Sequence, residues 1–147
     1  LLAEEQQKLL LPDFDYTFAW KLGSLIREQA AKGKLPVAIT ITHGTDVVFS
    51  LLMPGATIDN LHWASRKSAV AHRCHRSSLA MRLEAEKGSF DFNSRYRLPE
   101  AQYVASGGGV PLMLRNGTLI GTVGVSGLPD VEDHRLAVQA LEELVAE

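Results

Sequence analysis

Three groups of residues in this chain have side chains or backbone suited to chemistry. The first is a basic helix face. At about 100° per residue, His62, Arg66, Arg73 and Arg76 fall within one arc. With Lys67 and Arg82 they put five fixed positive charges, and no acid, between His62 and Arg82. Such a face suits a small anion or an acidic protein surface; a solvated face laced with salt bridges is the alternative. The second group is glycine-rich backbone. Ser106, Gly107, Gly108 and Gly109 open a strand, and Ser126 and Gly127 sit where a strand gives way to a helix, so both offer close N–H groups to an anion. The third group is imidazoles. His72 and His75 are three apart on one helix, a metal-compatible spacing with no third ligand at a diagnostic distance. His43, His72 and His134 each offer a nitrogen that could serve as an axial ligand to haem iron.

Reaction motifs are harder to find. The triple glycine leads into a strand, whereas dinucleotide loops lead from strand to helix, and no Gly-Lys-Ser/Thr follows it. The run from Gly124 to Leu128 lacks the spacing of the G-x-S-x-G nucleophile elbow, so Ser126 reads as a turn or cap. Asp130, Glu132 and Asp133 place three carboxylates on the first turn of the last helix, where they satisfy its dipole and repel a phosphate. Glu132 and Asp133 also point about 100° apart and cannot face each other as acid and base. Cys74 lies on the apolar stripe formed with Trp63, Val70 and Met81, which reads as core or interface, and is a packed thiol.

The elements that must position these groups follow from periodicity. Short and longer helices are predicted over Glu4 to Leu11 and from Asp15 to Gly33. Val37, Ile39 and Ile41 alternate with Ala38, Thr40 and Thr42 as a half-buried strand, turned at His43 to Asp46 into a second strand ending at Met53. One helix is then predicted from Thr57 to Lys87. It would be roughly 45 Å long, against a diameter near 40 Å for a globule of this size, which hints at subunit contact. Ser89 to Gln102 reads as a polar and aromatic loop. A second hairpin turns at Asn116 and Gly117, and Pro129 opens the closing helix. Two hairpins joined by a helix predict an α+β fold with a mostly antiparallel sheet flanked by helices. One domain is expected over 1-147, with residues 1-35 packed on it or extending from it.

Composition narrows the classes. The apolar fraction of 46% supports a core, and a net charge of -2 gives no general attraction to nucleic acid or an anionic membrane. A single cysteine excludes an intrachain disulfide and favours a reducing compartment, with the cytoplasm as the expectation. No apolar run approaches the roughly 18 residues of a membrane span.

Trp63 with Arg66 and Lys67, Ser77 and Ser78, Tyr103 before Gly107 to Pro111, then Gly121 to Pro129 and Glu132 to His134 occur in an order that resembles the GlcG/HbpS-like, or haem-degrading-domain, superfamily. The likeness is to its uncharacterised branch of short stand-alone domains. The resemblance implies a profilin-like fold and homo-oligomers, dimers or larger. It admits haem as a cofactor and supplies no catalytic residues. The expected function is therefore binding of a small anionic ligand or a protein partner, without chemistry of its own. Arg66, Lys67 and Arg73 would supply charge, and the Ser106 to Gly109 and Ser126 to Gly127 segments would supply N–H groups. The alternative is a haem-binding or haem-degrading protein.

Overall fold

The computed structural model describes residues 1–147. Its elements are α1 (Leu2–Gln7), α2 (Tyr16–Gly33), β1 (Ala38–His43), β2 (Asp46–Leu52), α3 (Ile58–Cys74), α4 (Ser78–Lys87), α5 (Phe92–Tyr96), β3 (Gly109–Met113), β4 (Leu119–Ser126) and α6 (Asp130–Val145). The strands form one antiparallel sheet in the order β2-β1-β4-β3, so the two predicted hairpins join through β1 and β4. The fold is α+β, as expected.

Each boundary has a local cause. Asp15 accepts from the Phe18 N–H at 2.7 Å and starts α2. Thr57 and Asn60 form a reciprocal capping box that starts α3. The single long helix predicted over Thr57 to Lys87 is in fact two. His75 adopts a left-handed conformation with φ 58°, and the Ser77 hydroxyl accepts from the Ala80 N–H to begin α4. The freed His75 carbonyl takes a hydrogen bond from Gln6 Nε2 at 2.8 Å, so α1 stabilises the break. The argument for subunit contact from a 45 Å helix therefore falls. A second difference is α5, which Asp91 caps inside the predicted loop and which buries Phe92.

Strand parity assigns the two faces of the sheet. Ile39, Ile41, Val110, Leu112, Val123 and Val125 point to one side and pack with Leu22, Ile26 and Ala30 of α2 and Ala137 and Leu141 of α6. On the other side, Thr40, Thr42, Thr122, Gly124 and Ser126 face α3. These threonines, expected on a half-exposed face, are buried: Thr40 is 2% exposed and Thr122 1%. Gly124 explains how α3 comes so close. A Cβ there would sit 2.7 Å from the Ala64 carbonyl oxygen and would collide with Ser68 Oγ.

Candidate functional site

Two polar constructions lie between α3 and the rest of the fold. The first surrounds Lys67. Its ammonium is buried, 3.0 Å from Asp133 Oδ2 and 3.2 Å from the Val125 carbonyl oxygen. Asp133 is fully buried on α6 and also accepts from the backbone N–H groups of Gly127 and Leu128. One turn earlier on α6, Asp130 accepts from the Gly107 N–H at 2.9 Å and from Arg82 Nε at 2.6 Å. The Gly109 N–H donates to the Ser78 hydroxyl at 2.8 Å. Gly108 has φ +137°, and a Cβ there would crowd the Lys67 side chain and the Val125 oxygen, so a residue with a side chain would force this junction apart.

These contacts show how several groups of the expected anion site are already engaged within the chain. The N–H groups of Gly107, Gly109 and Gly127 do converge toward acceptors, but the acceptors are the chain's own side chains. Lys67 is spent on Asp133 and is closed to solvent, so it is removed from the expected ligand-binding set. Ser106 is half-buried beside this junction, and Ser126 is buried opposite Ala38 in the β1 and β4 ladder. The carboxylates on the first turn of α6 thus do more than offset a helix dipole: they hold the glycine loop. The two differ in titration. Burial pushes the Asp133 carboxyl up, against the pull of Lys67 and the two N–H groups. Burial also acts to raise Asp130, but the Gly107 N–H and Arg82 outweigh it and hold its pKa below the usual carboxylate range.

The remaining cations are separated. Arg76 pairs with Glu84, and Arg82 bridges Glu86 and Asp130. Arg66 lies 4.5 Å over the Trp63 ring and Arg73 is exposed; neither has a carboxylate partner. The predicted basic face is thus Arg66, which lies over Trp63 and donates to the Glu100 carbonyl oxygen at 3.4 Å, and exposed Arg73, beside a set of internal ion pairs. Cys74 is half-buried, and burial raises its pKa more than Arg73 and Arg76 lower it, so it is held as a thiol.

The second construction is a cavity of about 130 Å³ between α3 and the strands β1, β2 and β4. Thr40, Thr42, Thr45, Ser65, Ser68 and Thr122 line it with hydroxyls, His72 adds an imidazole, and Val47 and Ala69 are its apolar members. The Thr42 and Thr122 hydroxyls are 2.7 Å apart, and Thr42 Oγ1 also reaches the Gly44 oxygen and the Thr122 N–H. Ser68 is different. Its Oγ is buried and has no hydrogen-bond partner. A buried hydroxyl without a partner costs about 1–3 kcal/mol. Ser68 is one of the residues that line the cavity, whose wall combines these hydroxyl groups with methyl and other apolar surface.

Sequence reasoning missed this cavity because it treated the threonines as a solvent face. The signal was in the parity: Thr40, Thr42 and Thr122 share one side of the sheet, while Ser65, Ser68 and His72 recur three and four apart on the helix that covers it.

Four of the five histidines differ in setting. His72 lines the cavity and is half-buried. His134 is buried with Nε2 2.7 Å from Glu5 Oε1, a contact that closes it to an external ligand, while its Nδ1 has no partner. His43 is exposed at the end of β1; its Nδ1 is 2.9 Å from the Tyr16 hydroxyl, and the Phe14 and Tyr16 rings lie 5.5 and 5.7 Å away between centroids. His75 is exposed in the turn after α3, apart from any cluster of three metal-ligating side chains.

No helix is long and apolar enough to cross a membrane. Comparison with known proteins agrees with the fold. A UPF0303 protein of Rhizobium meliloti (strain 1021) is 40% identical over 144 residues, covering 98% of this chain and 88% of its own. The crystal structure of the Ybr137w protein superposes with a TM-score of 0.88 at 27% identity, covering 99% of this chain and 86% of that one. The PduOC:heme complex superposes with a TM-score of 0.76 at 22% identity, covering 87% and 92%, a likeness that bears on the fold alone. The family model described as haem degrading protein HbpS-like matches residues 14–142, and the chain belongs to that family.

Proposed function

We propose that this chain is a ligand-binding domain that holds one small polar molecule in the hydroxyl-lined cavity between α3 and the sheet, without chemistry of its own. The observation that carries this reading is the cavity itself, walled by the hydroxyl-bearing residues Thr40, Thr42, Thr45, Ser65, Ser68 and Thr122, with the buried Ser68 Oγ left without a partner in its wall. Size sets the class of ligand. A cavity of about 150 Å³ accepts a six-carbon ring, so this one suits a molecule of about that many heavy atoms and is far too small for haem. Charge sets it further. With Lys67 paired to Asp133, the only titratable group on the wall is His72, so the ligand is neutral or carries one negative charge. Thermal-shift measurements with polar compounds of about four to eight heavy atoms test the reading. A compound that raises the melting temperature of the natural protein but not of Ser68→Val supports it; no shift across the set overturns it.

A second reading, haem binding, is favoured by His43. A histidine whose second nitrogen is fixed by a hydrogen bond makes a better oriented ligand, and Tyr16 supplies that bond while Nε2 stays open. The flanking Phe14 and Tyr16 rings would offer apolar contact to a porphyrin edge. These residues would hold haem through the His43 nitrogen at the surface rather than in a closed pocket. Bound haem would supply the redox and oxygen chemistry; the chain would supply the ligand and its orientation. Hemin titration followed by absorption tests it: a saturable Soret shift lost in His43→Ala supports this site, and the same shift in both proteins removes His43 from it.

A further inference from the structure

Helix α3 borders a second recess outside the hydroxyl cavity. It is a groove of about 440 Å³ between α3 and the segment that precedes β3, walled by Asp59, His62, Ser65, Arg66, Ala101 and Gln102. Asp59, His62 and Arg66 are three and four positions apart, so one helix face presents an acid, an imidazole and a guanidinium in a row. The opposite wall is tied down. The Val104 N–H donates to the Arg66 carbonyl oxygen at 3.3 Å and the Gln102 N–H to the Pro99 oxygen at 3.1 Å. Asn93 Nδ2 donates to the oxygens of Leu98 and Tyr103 at 3.1 and 3.0 Å.

The two charges in this groove are placed but unpaired. Arg66 is held from two sides, its guanidinium carbon 4.5 Å from the centre of the Trp63 ring and its Nη1 3.4 Å from the Glu100 carbonyl oxygen. Lying over the residue three before it, the group reaches back toward the start of α3, where Asp59 occupies the first turn. Seven positions of helix span about 10 Å, and this backward reach shortens the interval without closing it. Neither Asp59 nor Arg66 forms an ion pair, with each other or with any other group. The α3 N-terminus is capped by Thr57 and Asn60, so Asp59 is not spent on that task. An acid in the first turn favours the helix dipole. That accounts for Asp59 alone and not for the guanidinium held on the same face.

We infer that this groove binds a small zwitterion of the amino-acid class, with a carboxylate at one end and an ammonium group at the other. Arg66 takes the carboxylate, for which the guanidinium fork is shaped, and Asp59 takes the ammonium. His62, Ser65 and Gln102 supply polar groups between them. The fixed charges of the walls cancel, so a simple anion meets Asp59 as well as Arg66, and a dianion such as phosphate is repelled more strongly. A zwitterion satisfies both. A guanidinium already held in place and a pinned opposite wall reduce the ordering that binding costs. This site goes beyond the ligand proposed for the hydroxyl cavity, and the two spaces share only Ser65.

Compounds of one chain length separate the two charges. γ-Aminobutyrate, butyrate and succinate are each titrated in the millimolar range into the isotope-labelled natural protein, and the backbone amides and the Trp63 indole N–H are followed by magnetic resonance. γ-Aminobutyrate should give saturable shifts in residues 59 to 66 and 100 to 102. Butyrate, which lacks the ammonium, and γ-aminobutyramide, which lacks the carboxylate, should each bind about tenfold more weakly, the worth of one hydrogen bond to a charged group. Succinate, which turns a second carboxylate toward Asp59, should bind more weakly than butyrate. Asp59→Asn should bring γ-aminobutyrate down to the affinity of butyrate, and Arg66→Gln should weaken γ-aminobutyrate to that of the amide. Ser68→Val should leave all of these affinities unchanged, which separates failure of this site from failure of the cavity reading. No saturable shift in these segments with γ-aminobutyrate overturns the inference. Equal affinity for γ-aminobutyrate and succinate overturns it too, as does a folded Arg66→Gln that binds like the natural protein. Should Arg66→Gln fail to fold, the amide decides on the natural protein: binding equal to that of γ-aminobutyrate overturns the carboxylate contact and the inference with it.

Discussion

One face of the sheet is built from isoleucine, valine and leucine, and the other from threonine, serine and glycine, yet both are buried. On the first face, bulk fills the space between the strands and α2 and α6, and any chain of apolar side chains with the right volume would serve. On the second, small residues let α3 approach until helix backbone meets strand backbone, and polar atoms must then find partners among themselves. Most do: Lys67 finds Asp133, and Thr42 finds Thr122. Ser68 does not. The difference teaches that one side of the sheet is held by bulk and the other by close approach and paired polar atoms, and that the polar side also carries a buried hydroxyl without a partner, Ser68.

The sharpest way to break that contrast is to remove one half of the buried pair. Asp133→Asn leaves Lys67 charged in a site closed to solvent, and breaking a buried pair in this way costs about 3–5 kcal/mol. For a chain of this size the melting temperature should fall by about 10 °C or more. Lys67→Met with Asp133→Leu should recover most of the loss, because apolar replacement of a whole buried pair is often neutral. A double variant as unstable as Asp133→Asn would mean that the Gly127 and Leu128 N–H groups, and not the ammonium, are what Asp133 is needed for.

A smaller effect probes the packing distance. Gly124→Ala places a methyl against the Ala64 oxygen and Ser68, so α3 must move outward, at about 1–3 kcal/mol. The same variant should distort the cavity, so it should lose ligand stabilisation as well as melting temperature. Denaturant midpoints with unchanged slope would report the first, and thermal shifts the second.

How much of this was legible in the sequence follows the same division. The hairpins, the closing helix and the apolar face were read from alternation at 39, 41, 123 and 125, because hydrophobic burial is set by residue type alone. Helix α3 was not ended correctly, because its stop is a non-glycine left-handed residue, His75, whose carbonyl is satisfied by Gln6 sixty-nine positions away. The pairing of Lys67 was hidden for a related reason. Lys67 and Asp133 are sixty-six residues apart, and nothing local distinguishes a lysine destined for an internal carboxylate from one that meets solvent. Arg66 and Arg73, read with the same weight, do remain without carboxylates.

Acid separates the two carboxylates of α6. Asp130 is held below its unfolded value, so its link to Arg82 and Gly107 contributes stability that is complete above about pH 4 and is lost as pH falls through the folded pKa. Asp133 is raised, so native protein takes up its proton before unfolded protein does, and that uptake favours the folded state as pH falls. Asp130→Asn should therefore cost about 1–2 kcal/mol at neutral pH, and the deficit should shrink toward zero below about pH 4. A deficit constant from pH 7 to 3 would assign the cost to lost packing rather than to the ionised carboxylate.

The smallest expected change in stability is at Ser68, and it is the most discriminating. Truncating Thr42, Thr122, Lys67 or Asp133 removes a hydrogen-bond partner. Ser68 Oγ has none to lose, so Ser68→Ala should leave the melting temperature within about 1 °C of the natural protein, or raise it, because the cost of an unpaired buried hydroxyl disappears. Any compound that stabilises the natural protein through this cavity should nonetheless bind Ser68→Ala at least tenfold more weakly, about 1.4 kcal/mol. A fall of several degrees without ligand would reveal a structural role for the hydroxyl and remove the reason for placing a ligand there. Unchanged stability together with weakened binding would mean that the hydroxyl is kept unpaired within the fold for the molecule it receives.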